Sequence, residues 1–251
     1  MIELLDFSIG YEKRSLICNT DTTIEKCKLT ALIGRNGTGK STLLRTIAGL
    51  NRHYSGEIKL SGQCVKDMSA SQIARTLSFV TTERTRIPNM RCKDVVAAGR
   101  APYTNWIGNM QKTDWDIVMK SLEQVGMKSY AERTMDKMSD GECQRIMIAR
   151  ALAQSTPIIL LDEPTSFLDM PNRYELCSLL SELAHDEEKC ILFSTHELDI
   201  ALSIADNIAL IDQTKLLYMS ANEFSQNGYV KRIFHNSYKT TFENVYNVIK
   251  T

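Results

Sequence analysis

The chain has no apolar run approaching the roughly 20 residues that cross a bilayer. It has no net charge either, since 30 lysines and arginines balance 30 aspartates and glutamates. The first absence predicts no membrane-spanning helix, and the second removes the bulk electrostatic argument for nucleic acid as a partner. The start, Met1-Ile2-Glu3-Leu4-Leu5-Asp6, is acidic and lacks the basic-then-apolar layout of a secretory leader. Seven cysteines, at 18, 27, 64, 92, 143, 177 and 190, include no C-x-x-C pair, and their odd number argues against a complete disulfide framework. A reducing, cytosolic setting fits best, with most of these thiols acting as small buried apolar side chains. No internal repeat or low-complexity tract is evident.

What is present is the composition of an ordinary globular protein. A chain of 251 residues that is 43% apolar can bury a full core, as one large α/β domain or a domain with a sub-domain. Ile2, Leu4, Phe7 and Ile9 alternate with polar residues as in a half-buried strand. Gly56-Glu57-Ile58-Lys59-Leu60-Ser61-Gly62 reads as a second β-rich portion bounded by glycines. Residues 157–162 and 189–194 differ, carrying unbroken apolar runs of the kind found in central parallel strands covered on both faces. Helical patterns such as residues 174–185 and 198–205 alternate with them, which predicts βαβ units and a parallel sheet. Between about 86 and 153 strand patterns give way to helical ones, as expected of an inserted helical sub-domain.

The motif richest in chemistry is Gly34-Arg35-Asn36-Gly37-Thr38-Gly39-Lys40-Ser41, which fits G-x-x-x-x-G-K-[ST]. An apolar strand, residues 29–33, precedes it, and a helix opening at Ser41-Thr42 follows. The glycines let the backbone aim several N–H groups at one anion, and the helix N-terminus adds its positive end. Lys40 is expected to reach the β- and γ-phosphates of a nucleoside triphosphate, and the Ser41 hydroxyl to ligate Mg²⁺. Such a loop needs a carboxylate at the end of a neighbouring strand, and Asp162 supplies it after Ile158-Ile159-Leu160-Leu161. Glu163 comes next. Alternation along a strand would turn it to the other side, available as base or orienter of the attacking water. Ser139-Asp140-Gly141-Glu142 opens another helix, with Ser139 or Asp140 as its cap and Glu142 favourable in the first turn.

In this order, these motifs resemble those of ABC transporter nucleotide-binding subunits over nearly the whole chain. The phosphate loop, a signature at 138–142 (usually L-S-G-G-Q), Asp162-Glu163, a D-loop Ser166-Phe167-Leu168-Asp169 and an H-loop Ser194-Thr195-His196 all occur. The resemblance implies an α/β fold: a P-loop NTPase (RecA-like) core with an antiparallel β-subdomain and an inserted α-helical sub-domain. Residues 1–85 and 154–251 would form the core, with a C-terminal segment, and 86–153 the helical part carrying the signature. It implies that Tyr11 stacks on adenine, where a lone tyrosine would otherwise be read as packing on a strand face. His196 would contact the γ-phosphate. Two cassettes would dimerise head to tail, so that Ser139, Gly141 and Glu142 of one copy, with Asp169, complete the ATP site of the other.

Two departures stand out. Asp140 and Glu142 replace a glycine and a glutamine, and a carboxylate beside a triphosphate is unfavourable unless it points away. The Q-loop glutamine is missing from residues 77–83, so Thr82 or Glu83 must stand in; Glu83 is favoured, as an Mg²⁺ ligand or orienter of water. Together with the segment at 95–103, these features are similar to the bacterial importers of ferric siderophores, haem and cobalamin. There the segment like 95–106 receives the permease's coupling helix, which makes Tyr103 and Trp106 expected docking residues. The implied protein is an ATPase, peripheral on the cytoplasmic face of the bacterial inner membrane, partnered by permease subunits and indirectly by a substrate-binding protein. The alternatives are a transporter of other cargo, or a soluble ABC ATPase of DNA repair or translation. The single cassette and the absence of extended heptads disfavour the latter. An ATP-binding regulatory module without turnover has nothing in its favour, because Glu163 and His196 are both present.

Overall fold

The computed structural model describes residues 1–11, 14–83, 86–104 and 108–229. In chain order the elements are β1 (Ile2–Tyr11), β2 (Arg14–Ile24), β3 (Lys28–Gly34), α1 (Lys40–Ile47), β4 (Tyr54–Leu60), β5 (Gln63–Cys64), α2 (Ala70–Thr76) and β6 (Leu77–Val80). There follow α3 (Cys92–Ala97), α4 (Lys112–Gln124), α5 (Asp140–Ala153), β7 (Ile158–Asp162), α6 (Met170–His185) and β8 (Cys190–Ser194). The last are α7 (Leu198–Ile204), β9 (Asn207–Asp212), β10 (Lys215–Ser220) and α8 (Ala221–Gln226). Trp106 and residues 230–251, most of the C-terminal segment, lie outside the described residues.

A six-stranded sheet of order β10-β9-β3-β8-β7-β6 forms the centre. Its strands run parallel except β10, which turns back on β9 as a hairpin. The unbroken apolar runs are explained by two cores, one on each face. Ile159, Leu161, Ile191 and Phe193 point into a core shared with α3 to α6, where Val96, Leu122, Ile146 and Leu180 meet them. Ile158, Leu160, Cys190 and Leu192 point the other way, onto Leu43, Leu44 and Ile47 of α1 and onto the apolar face of β1, β2 and β4. Each residue along such a strand is therefore apolar, because a period of two serves both faces.

The order β3-β8-β7 places three chain turns side by side. Leu32 and Asp162 both register with Ser194, so the phosphate loop, Asp162 and the H-loop leave the same edge of the sheet. This is the carboxyl edge at which ligands of open α/β sheets collect.

The second sheet is antiparallel, β2-β1-β4-β5. Gly56, read from sequence as a strand boundary, lies inside β4 with φ +79°. A Cβ there would come within 2.2 Å of the Asp6 carbonyl oxygen, where the β1–β4 register slips between Leu5 and Ser8. A bulge that brings two backbones so close needs glycine.

Between 86 and 153 the described residues form α3, α4, α5 and short 3-10 turns, with one isolated bridge between Arg91 and Thr134. Arg100 is buried here, paired with Asp114 at 3.0 Å and donating to the Ala153 carbonyl at 2.8 Å, which ties α4 to the end of α5. All seven cysteines are unpaired; Cys92, Cys143, Cys177 and Cys190 are buried. Burial pushes the thiols of Cys92 and Cys177 up to about 11. No helix among the described residues is long and apolar enough to cross a membrane.

Candidate functional site

The loop from Gly34 to Gly39 joins β3 to α1 in a conformation that only its glycines permit. Gly37 and Gly39 have φ of +74° and +105°, in the left-handed region costly for other residues. A Cβ on Gly39 would sit 3.0 Å from Leu16 Cδ1, so β2 packs directly against the loop. Gly39 is the N-cap of α1 and no side chain caps that helix. The first-turn N–H groups have no intrahelical acceptor and face the loop's concavity. Thr38 Oγ1 donates to Arg35 O at 2.8 Å, and Lys40 Nζ to Gly34 O at 3.0 Å. Lys40 is buried; burial lowers its pKa while Glu163 and Asp162 oppose the shift. A cleft of about 440 Å³ opens over these groups, lined also by Tyr11, Arg14, Asn36, Ser41, Thr42 and Glu163. Tyr11 is 66% exposed at its rim, its hydroxyl 3.2 Å from Thr42 Oγ1, rather than packed under the sheet. Arg14, which motif spacing does not single out, donates to Gly37 O at 3.1 Å.

At the end of β7, Asp162 is 3% exposed and accepts a 2.6 Å hydrogen bond from Ser194 Oγ. The same hydroxyl accepts from the Glu163 N–H at 2.9 Å. The divergence of Asp162 and Glu163 has a different cause from strand alternation: β7 ends at Asp162, and Glu163 turns with φ +49°. Such strain outside glycine persists where surrounding contacts hold it, and Ser194 is one of them. Glu163 Oε2 accepts from Ser166 Oγ at 3.1 Å and lies 3.6 Å from His196 Nδ1. Both contacts fall on Oε2. Thr82 Oγ1 donates to the Asp162 carbonyl at 3.0 Å, tying the Q-loop to the end of β7. Glu83 instead pairs with Arg45 of α1 at 2.6 Å, its side chain 72% exposed.

The donor set suits Mg²⁺. That ion takes one or two protein oxygens together with waters and substrate phosphates, not a cage of side chains. Ser41 and Asp162 offer one hydroxyl and one carboxylate. Among the described residues no three or more His, Cys, Asp or Glu converge as a cage.

A second cleft, of about 520 Å³, sits at the N-terminus of α5 and brings Ser139, Gly141, Glu142 and Asp169 together. It shares no lining residue with the phosphate-loop cleft. Ser139 is the cap. Its Oγ accepts from Glu142 N at 3.2 Å, and the Glu142 carboxylate accepts from Ser139 N at 2.7 Å. This reciprocal pair answers the concern about charge, because the Glu142 carboxylate is folded back on its own helix. The Ser139 N–H holds the Glu142 carboxyl below the usual carboxylate range. Asp140 is likewise engaged, 2.7 Å from Arg86. Gly141 lies against the D-loop, where a Cβ would be 3.2 Å from Phe167 O. Asp169 caps α6 through Asn172 N at 3.2 Å.

Residues 17–166 match the family described as ABC transporter. An uncharacterized ABC transporter ATP-binding protein of Methanocaldococcus jannaschii is 39% identical over 217 residues, 86% of this chain and 75% of that protein. The iron(3+)-hydroxamate import ATP-binding protein FhuC of Bacillus subtilis is 34% identical, covering 90% of this chain and 84% of its own length. A solved structure described as a metal-chelate type ABC transporter in an inward-facing conformation superposes with a TM-score of 0.81 at 26% identity, covering 93% of this chain and 88% of its own. The chain belongs to the ABC transporter family, as an ATP-binding cassette.

Proposed function

We propose that the protein is the ATP-hydrolysing subunit of a bacterial importer for ferric siderophore, haem or cobalamin, peripheral on the cytoplasmic face of the inner membrane. The observation that carries the ATPase reading is the alignment, on one sheet edge, of the phosphate loop with Asp162 and a Glu163 held by Ser166 and His196. The named activity of FhuC and the metal-chelate description of the solved neighbour support the cargo class.

Tyr11 stacks on the adenine, the amides of residues 36–42 and Lys40 bind the phosphates, and Ser41 and Asp162 hold Mg²⁺. When bound, that ion neutralises charge on the β- and γ-phosphates. Glu163 takes a proton from a water as its oxygen bonds to the γ-phosphorus and the bond to the ADP oxygen breaks. His196 lies beside Glu163 and contacts the γ-phosphate. The separation of the two clefts supports a dimer: each chain carries a complete phosphate loop and, elsewhere, a signature that a second copy needs. ATP then joins two copies, and hydrolysis releases them.

The permease is assigned to a groove of about 680 Å³ between the end of α1, α2 and residues 98–102. Its charged lining residues, Arg52, Lys66 and Arg150, are all cations, and Val65, Ile73 and Phe79 give it an apolar floor. Tyr103 flanks it, with the guanidinium groups of Arg75 and Arg100 5.5 Å and 4.1 Å from its ring centroid. The ATPase reading is tested by Glu163→Gln, which should bind ATP and fail to turn it over; turnover at the parent rate refutes the role of Glu163. The docking reading is tested by Tyr103→Ala in a reconstituted importer, expected to keep basal ATPase and lose transport. Normal transport refutes it.

A further inference from the structure

We propose that Glu197 and Arg173 form a strut that sets the D-loop from the H-loop, acting as positioning residues for assembly of the two-copy ATP site. The inference rests on the dimer described above. Glu197 follows His196 directly. Its backbone N–H donates to Thr195 Oγ1 at 3.0 Å, which fixes the turn at the end of β8. Its carboxylate is saturated from two sides: Oε2 accepts from Thr165 Oγ1 at 3.1 Å, and Oε1 from Arg173 Nη1 at 2.5 Å. Arg173 spends its Nε on the carbonyl of Leu168, inside the D-loop, at 2.8 Å. One guanidinium thus holds the H-loop carboxylate and the D-loop backbone together.

The location makes this more than a surface pair. The two side chains are 27% and 16% exposed, and Thr165 is buried. Charge-assisted bonds with little solvent screening are stronger and more directional than exposed ones. The held segment is the wall of the signature cleft: Leu168 and Phe167 pack against Gly141, and Asp169 caps α6 a residue later. At its other end the strut begins beside His196, which contacts Glu163. A continuous set of contacts therefore runs from the γ-phosphate end of one cleft to the surface that meets the second copy. Neither Glu197 nor Arg173 need touch nucleotide.

The test compares ATP-driven dimerisation with ATP binding by the monomer. In a Glu163→Gln background, Glu197→Gln removes the charge and keeps an acceptor for Thr165, while Arg173→Lys keeps a cation that cannot serve both Glu197 and Leu168. Each should raise the ATP concentration for half-maximal dimerisation by about tenfold, as for loss of one charge-assisted hydrogen bond, and change monomer ATP affinity by less than about twofold. Dimerisation at the parent ATP concentration by both variants overturns the proposal. So does an equal loss of monomer affinity, or failure of both variants to fold, since the pair would then serve only the fold. If Glu163→Gln alone does not dimerise with ATP, it is the dimer reading that fails.

Discussion

Two helix N-termini in this chain line the two clefts, and they are built in opposite ways. α1 begins at a glycine without a side-chain cap, carries no acidic residue in its first turn, and has Lys40 at its first position. α5 begins at Ser139 with a reciprocal capping box and has two acidic residues in its first turn. Uncapped N–H groups and a lysine form a site that gains most when a polyanion arrives. A capped terminus with one carboxylate folded back on its helix and the other paired with Arg86 gains little from anion alone. On the proposed two-copy site, the difference separates a phosphate loop that grips nucleotide within one copy from a signature that completes a site whose nucleotide the other copy holds.

The largest expected effect tests the chemistry beside the gripping end. Glu163→Gln should slow ATP hydrolysis by at least about 100-fold, the loss of a general base, with ATP affinity retained. Next, Lys40→Ala should weaken monomer ATP binding about 10- to 100-fold, as for a lost hydrogen bond to a charged group, measured by calorimetry. Ser139→Ala should leave that monomer affinity unchanged and lower unfolding stability by about 1 kcal/mol through loss of the cap. If Ser139→Ala weakened monomer binding as much as Lys40→Ala, the contrast between the two termini would collapse.

The smallest effect is one of pH. The Glu142 carboxyl is held below its ordinary 4.5 in the folded chain, so its stabilisation is present above that value and lost as pH falls through the lowered one. Glu142→Gln, which can still close the box, should match the parent at neutral pH within about 0.5 kcal/mol and lose less stability between about pH 5 and 3. Urea titrations at both ends of that range measure it.

The central strands were legible because covering both faces removes polar residues from every position, as at 158–161 and 190–193. The phosphate loop was legible because its chemistry is local, within eight consecutive residues. What was not legible depends on chain segments far apart in sequence. Arg86 meets Asp140 across 54 positions, so the acidic signature looked like a liability until its partner was in place. The Ser194 hydroxyl that holds both Asp162 and Glu163 lies 31 residues beyond Glu163, and the H-loop motif that includes it does not show which groups that hydroxyl meets. The left-handed turn at Glu163 and the bulge at Gly56 are backbone features that residue type alone does not announce.

The measurement that reaches furthest is the mass of the Glu163→Gln protein with and without ATP and Mg²⁺, by light scattering. The chain is 28.4 kDa, and the account predicts that this mass doubles on adding ATP. Adding Gly141→Asp, which places a new carboxylate at the signature cleft, should hold the protein at the single-chain mass with its ATP affinity intact. A Glu163→Gln protein that stays at the single-chain mass with ATP, or a double variant that still doubles, would contradict a site shared between two copies.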